Sequence, residues 1–266
     1  MKQSSLKCAQ LKSSTKKFYE CNFFNLFLNN VLHPGGLKLT EQLGELADIR
    51  ERSIVLDVAT GRGVSAIFLA KKFSCKVVGV DLSKVMIEQA ADSANTEKVT
   101  DRVDFEVSDA ERLPFKTGVF DAVISECSLC LFPTKRNSLS EMFRVLKKGG
   151  RIALSDVTLK HTRKELRNKM LFFSCIAGAE SLDALRSLFE DIGFVDVTTI
   201  DASQAIVDMY KSLKKQSSFL KAMLKSIYSN SCTELNIEKF GRITEQLILE
   251  GKLGYGVLIG KKPFQD

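Results

Sequence analysis

The 266 residues are 44% hydrophobic and 27% charged, an ordinary globular balance with room for one large domain and some additions. No run of about 18 apolar residues occurs, so no membrane span is expected, and Met1 to Lys17 lacks the apolar core of a secretory signal. The net charge of +7 comes from lysines scattered in short clusters, without Trp or an aromatic-basic stripe, which argues against a nucleic-acid partner.

Met1 to Lys17 reads as a mobile lead-in and Phe18 to Leu32 as an apolar, aromatic helix over the main body, broken by His33-Pro34-Gly35-Gly36. Leu39, Leu43, Leu46 and Ala47 give Leu37 to Ile49 helical spacing. A strand at Ser53 to Asp57 precedes the turn Ala59-Thr-Gly61-Arg-Gly63 and a helix over 64–73. The strand Val77 to Val80 ends in Asp81, and Ser83 is the expected N-cap of a helix to Thr96. Strands follow at 103–107 and 119–127, then a helix from Glu141 to Lys148 stopped by Gly149-Gly150, and a strand from Arg151 to Leu154. Helices are expected over 162–176 and 181–192, the latter ended by Gly193, and a strand over 194–200. Helical patterning returns at 202–215, 219–229 and 236–250 before a last strand at 253–260. Regular alternation of strand and helix predicts an α/β chain around a mostly parallel sheet.

A strand, a glycine turn, a helix and a second strand ending in an acid are the parts of a nucleoside site in an open α/β sheet. Gly61 and Gly63 let backbone approach a ligand, and Asp81 can accept from ribose hydroxyls. Asp57, Asp81 and Asp109 could instead cap turns. The Walker pattern is absent, and Ala66 breaks the full Gly-x-Gly-x-x-Gly fingerprint, so neither an NTPase nor a standard dinucleotide site is indicated.

These segments, with Ser108-Asp109-Ala110 after the third strand, Ser125-Glu126-Cys127 after the fourth and the Gly149-Gly150 turn, resemble the class I S-adenosylmethionine-dependent methyltransferases over about residues 38 to 200. The resemblance implies a Rossmann-like, seven-stranded, mostly parallel sheet with an antiparallel last strand. It also implies a cofactor, S-adenosyl-L-methionine, and residues that hold it. Asp57, Gly61 and Gly63 would meet the methionine part, and Asp81 the ribose. Leu82 and Met86 would line the adenine face, Asp109 and the Ala110 backbone the adenine edge, and Ser125 the end of the fourth strand. The expected division is an N-terminal helical segment (1–37), a methyltransferase domain (38–201 and 252–266) and a helical insertion (202–251) forming a partial lid with the N-terminal helix.

A methyl on a sulfonium is already activated, so the acceptor decides what further chemistry is needed. Ser125-Glu-Cys-Ser128 replaces the Asn/Asp-Pro-Pro-Tyr/Phe tetrad of exocyclic-amine methyltransferases, arguing against adenine or glutamine-amide methylation. His33 is placed to face the cleft or to pack, His161 resembles a helix-start residue, and Glu126 either faces solvent or serves the site. Seven cysteines, an odd number with no secretion signal, suit reduced thiols in a cytoplasmic enzyme. Cys127 after the fourth strand and Cys175 in Cys175-Ile-Ala-Gly178-Ala179 resemble the arsenite methyltransferases, which implies thiol ligands for a soft centre, with Cys130 as a third thiol and Cys21 as an upstream candidate. A role as small packing residues stays open for all of them, and Cys8, Cys75 and Cys232 read as structural. The expected acceptor is a small molecule, with thiol-bound arsenite or another metalloid as its sharpest form. A lipophilic molecule such as a quinone is the alternative, followed by a protein or RNA. Oligomeric state is open.

Overall fold

The computed structural model describes residues 2–20, 33–160, 175–176, 178–215 and 237–264. In chain order they form α1 (Lys2–Glu20), α2 (Gly36–Leu46), β1 (Ile54–Val58), α3 (Val64–Phe73), β2 (Lys76–Asp81), α4 (Lys84–Thr96), β3 (Val103–Val107), β4 (Phe120–Glu126), α5 (Lys135–Val145) and β5 (Leu146–Leu159), followed by α6 (Leu182–Ile192), β6 (Val195–Asp201), α7 (Ser203–Lys215), α8 (Ile237–Leu249) and β7 (Leu253–Lys261). The expected helices at 162–176 and 219–229, and Cys21, His161 and Cys232, lie outside the described residues, apart from Cys175 and Ile176.

The strands form one sheet in the order β3-β2-β1-β4-β5-β7-β6. Strands β1 to β5 pair in parallel, while β7 runs antiparallel between β5 and β6. The chain reverses its winding direction between β1 and β4, and at such a switch point the carboxyl ends of adjacent strands diverge and leave a crevice. The inner strands β1 and β4 are buried along nearly their whole length, with helices covering both faces. One face packs Leu39, Leu43, Leu69, Val77 and Tyr255; the other packs Phe120, Leu139, Met142, Leu146 and Phe189.

Local chemistry sets the boundaries. Ser83 Oγ accepts from Met86 N at 3.2 Å and caps α4; Ser181 Oγ accepts from Ala184 N at 3.2 Å and caps α6. Two expectations need correction. Residues 146–150 do not end a helix: α5 starts earlier, at Lys135, and stops at Val145, and β5 begins at once. Lys147 pairs with Asp121 at 2.7 Å and Gly149 N donates to Lys262 O at 2.9 Å, so this stretch is held by the sheet. The N-terminal lead-in is instead the helix α1. It is tied down by Lys12, whose Nζ lies 2.6 Å from both Asp109 and Glu111, and by Glu20, which accepts from Ser83 Oγ at 2.6 Å.

The stretch 202–251 supplies α7 and α8, whose Ile206, Leu247 and Ile248 join the core beside Leu253 and Tyr255. No described helix is long and apolar enough to cross a membrane.

Candidate active site

The crevice is an open cavity of about 1240 Å³ including its mouth. The carboxyl ends of β1, β2 and β4 form its floor, and α1 lies across it through Lys12, Thr15, Lys16 and Tyr19. These four residues recur at helical spacing and share one face of α1.

On the donor side the chain builds the cavity locally. Asp57 is 2% exposed and accepts from Thr60 Oγ1 at 2.6 Å. Ala59 follows with φ +60°, a conformation uncommon for a residue with a side chain. Gly61 has φ +54° and open space where a Cβ would stand, so its backbone is accessible to a ligand. Gly63 serves packing instead. A Cβ there would run into the Phe105 ring and Ala90, so the glycine lets α3 start close against the sheet, and it does not line the cavity. Asp81 accepts from Gly61 N at 3.0 Å and Ser83 N at 2.8 Å, which couples the acid to the glycine turn. Leu82, Met86, Asp109 and Ala110 complete this side of the lining. Ser125 does not reach it. Its hydroxyl donates to Val58 O at 2.6 Å and bonds to Ser128, joining β4 to β1.

Burial pushes the Asp57 carboxyl up to about 7 against the Thr60 bond, and the nearby Glu126 and Asp81 add to the rise. Burial raises Asp81 as well, opposed by its backbone donors. The crowded acids suit a ligand bearing positive charge. S-adenosylmethionine, with a sulfonium and an ammonium group, fits both this charge and the open Gly61 turn.

On the acceptor side the residues converge from distant segments. Cys127 lies just beyond β4 with φ +53° and lines the cavity. Its Sγ is 3.5 Å from Cys175 Sγ, and Cys175 Sγ is 3.2 Å from Tyr19 Oη. Cys130, buried and outside the lining, is electrostatically linked to both other thiols. A Cβ at Gly178 would strike the Cys130 carbonyl oxygen, so the glycine three residues after Cys175 permits this close approach. Hydrogen bonds from Cys127 and Cys130, then from Tyr19, hold the Cys175 thiol well below its ordinary range despite burial. The Cys130 bond favours the Cys127 thiolate, but the Cys175 bond and burial outweigh it and push Cys127 up; burial leads the rise at Cys130. Below them Asp156 accepts from Cys130 N at 2.7 Å, and burial pushes its carboxyl up to about 7. Among the described residues no group of three or more His, Cys, Asp and Glu is arranged to hold a metal ion.

His33 and Glu126 also line the cavity. The Glu126 side chain is 4% exposed, which rules out the solvent-facing alternative. Lys12 and Tyr19 are site residues that the reading of the sequence missed; the i, i+3, i+4, i+7 spacing of Lys12, Thr15, Lys16 and Tyr19 was the available signal.

This switch-point crevice, with its glycine turn and two strand-end acids, defines a class I S-adenosylmethionine methyltransferase site. A family model described as methyltransferase domain matches residues 49–245, and the chain belongs to that family. Methyltransferase GfsG of Streptomyces halstedii is 32% identical over 65% of this chain and 64% of its own length, just under two thirds. The 27-O-demethylrifamycin SV methyltransferase of Amycolatopsis mediterranei is 27% identical over 87% and 85%. An arsenite methyltransferase of Halobacterium salinarum is 29% identical over 58% and 40%. Among solved structures, the [4+2]-cyclase SpnF superposes with a TM-score of 0.77 at 20% identity, covering 93% of this chain and 94% of that one, a likeness of fold alone. The chain is a member of the S-adenosylmethionine-dependent methyltransferases.

Proposed function

We propose that the acceptor is a soft, thiophilic centre with a lone pair, in its sharpest form thiol-bound As(III), gripped by Cys127 and Cys175 with Cys130 behind them. The observation that carries this reading is the 3.5 Å approach of two sulfurs 48 residues apart, one of them lining the donor cavity. Soft thiolates are the ligands such a centre prefers. A lone-pair acceptor needs no general base, so the site has only to align acceptor and donor and exclude water. The methyl passes as a cation to the lone pair, the bonding electrons stay on the donor sulfur, and the sulfonium becomes a thioether. Asp57, Gly61 and Asp81 would hold the donor, and α1 would cover it. None of the described residues of the insertion at 202–251 lines the cavity.

The test uses Cys127→Ser and Cys175→Ser. Each is expected to bind S-adenosylhomocysteine like the parent, to lose the calorimetric signal with arsenite and to form no methylarsenic species by mass spectrometry. Normal As(III) methylation by either variant would refute the thiol grip and leave the methyltransferase assignment standing. Leu131, Phe132 and Pro133 in the cavity lining support the second reading, a hydroxyl on a lipophilic small molecule. In that case His33, neutral at pH 7 because burial pushes it down to about 4, would be the proton acceptor.

A further inference from the structure

Glu126 has no part in the thiol reading, yet its surroundings are specific. Its carboxylate accepts from Ser65 Oγ at 2.5 Å, from α3, and from Thr40 Oγ1 at 3.1 and 3.2 Å, from α2. All these donors are neutral. The titratable groups facing it from other elements are Asp57 at the end of β1, His33 ahead of α2 with Nδ1 at 3.4 Å, and Tyr255 of β7. His33 Nε2 meets Ser65 Oγ at 3.5 Å, so the ring is boxed in on both sides. Burial keeps that ring uncharged at neutral pH, and it offers Glu126 no cation. Burial likewise pushes Glu126 up to about 7, against the bonds from Ser65 and Thr40. The cavity floor therefore holds two adjacent carboxyls, Asp57 and Glu126, whose ionised forms await a positive charge.

The two forms of the cofactor differ in this charge. The donor carries a sulfonium; the product carries a neutral thioether of nearly the same shape. Most contacts along the nucleoside and the amino-acid part cannot tell them apart.

We propose that Glu126 is a specificity-determining residue that reads the charge on the cofactor sulfur. Donor binding drives a proton from the Asp57–Glu126 pair into bulk water, and the pair takes a proton back once the methyl has left. The donor is thereby held in preference and the product is released. The charge balances at each stage: one cation enters, one proton leaves, and one proton returns when the sulfur becomes neutral. The inference depends on the methyl donor alone and holds for any acceptor.

The test is calorimetric titration of the full chain with S-adenosylmethionine and with S-adenosylhomocysteine, in buffers of equal pH and different ionisation enthalpy. More proton release is expected with the donor than with the product, which keeps the ammonium group but has lost the sulfonium charge. The donor-to-product affinity ratio is expected to rise between about pH 6 and 8, at most about tenfold per pH unit. Glu126→Gln should lower that ratio about tenfold and flatten its pH dependence, an effect equal to roughly one pKa unit. Product affinity within about twofold of the parent would show that the variant is folded. Thr40→Val, which removes one donor to the ionised carboxylate, should move the rise in the ratio to higher pH without weakening product binding. Equal proton release with both ligands, or an unchanged ratio in Glu126→Gln, would overturn the proposal.

Discussion

The two sides of the cavity are built in different ways. The donor side is assembled from neighbours in sequence: Asp57 reaches Thr60, Gly61 reaches Asp81, and Asp81 reaches Ser83, all across the ends of β1 and β2. The acceptor side is assembled from segments far apart: Tyr19 from α1, His33 ahead of α2, Glu126 and Cys127 at the end of β4, and Cys175 ahead of α6. Such a site forms once β1, its turn and the neighbouring β2 are in place. A convergent site depends on the whole sheet and on how α1 lies across it. Evolution can therefore alter the second without disturbing the first, as expected where many chemistries share one fold.

The largest effect should come from breaking the contiguous side. Asp81→Ala removes the acceptor for two backbone N–H groups as well as the contact proposed for the ribose. Donor affinity should fall roughly a hundredfold, or about 2.7 kcal/mol, by titration. Wild-type affinity in this variant would remove Asp81 from the site.

A second effect sharpens the comparison through pH. Asp57 and Glu126 in the cavity and Asp156 beneath the thiols are each held at about 7, above the usual carboxylate range, with burial as the leading cause. Folding therefore takes up protons. The stability these groups contribute is fully present below the ordinary carboxylate range and is lost as pH rises through about 7. The melting temperature of the ligand-free chain should fall from pH 5 towards pH 8. Added S-adenosylmethionine favours the ionised acids and should raise it more at pH 8 than at pH 6. Asp156→Asn should reduce the slope in the ligand-free chain and leave the ligand-dependent part intact, because Asp156 bonds to Cys130 N and Val157 N and does not line the cavity. A pH-independent melting temperature would contradict the assignment of these groups as buried and unpaired by cations.

The contrast also explains what could be read from the residues alone. The seven strands, the Ser83 and Ser181 caps and the strand-end acids follow from local pattern, because apolar runs, cap residues and glycine turns act within a few residues. Gly63 illustrates the boundary of that reading. Its presence in the turn was legible, but its role, close packing against Phe105, depends on a strand some forty residues further along. The pairing of Cys127 with Cys175 was legible only through a family resemblance, since no local rule brings residues 48 apart together. The burial of Glu126 was not legible, because a strand-end acid is solvated unless something covers it. Here Thr40, Ser65 and His33 do so.

The smallest effect tests the cover itself. Lys12 joins α1 to Asp109 and Glu111 at the edge of the cavity, and its side chain is 21% exposed. Partly solvated ion pairs contribute about 1 kcal/mol or less each, and salt weakens them. Lys12→Ala should leave the sheet and the melting temperature nearly unchanged, since Lys12 belongs to neither hydrophobic cluster. It should instead speed dissociation of bound S-adenosylhomocysteine a few-fold, as stopped-flow traces would show, and high salt should produce part of the same acceleration in the parent chain. If α1 were a passive appendage, neither the substitution nor salt would change that rate. A helix held over the cavity in part by one lysine should respond to both.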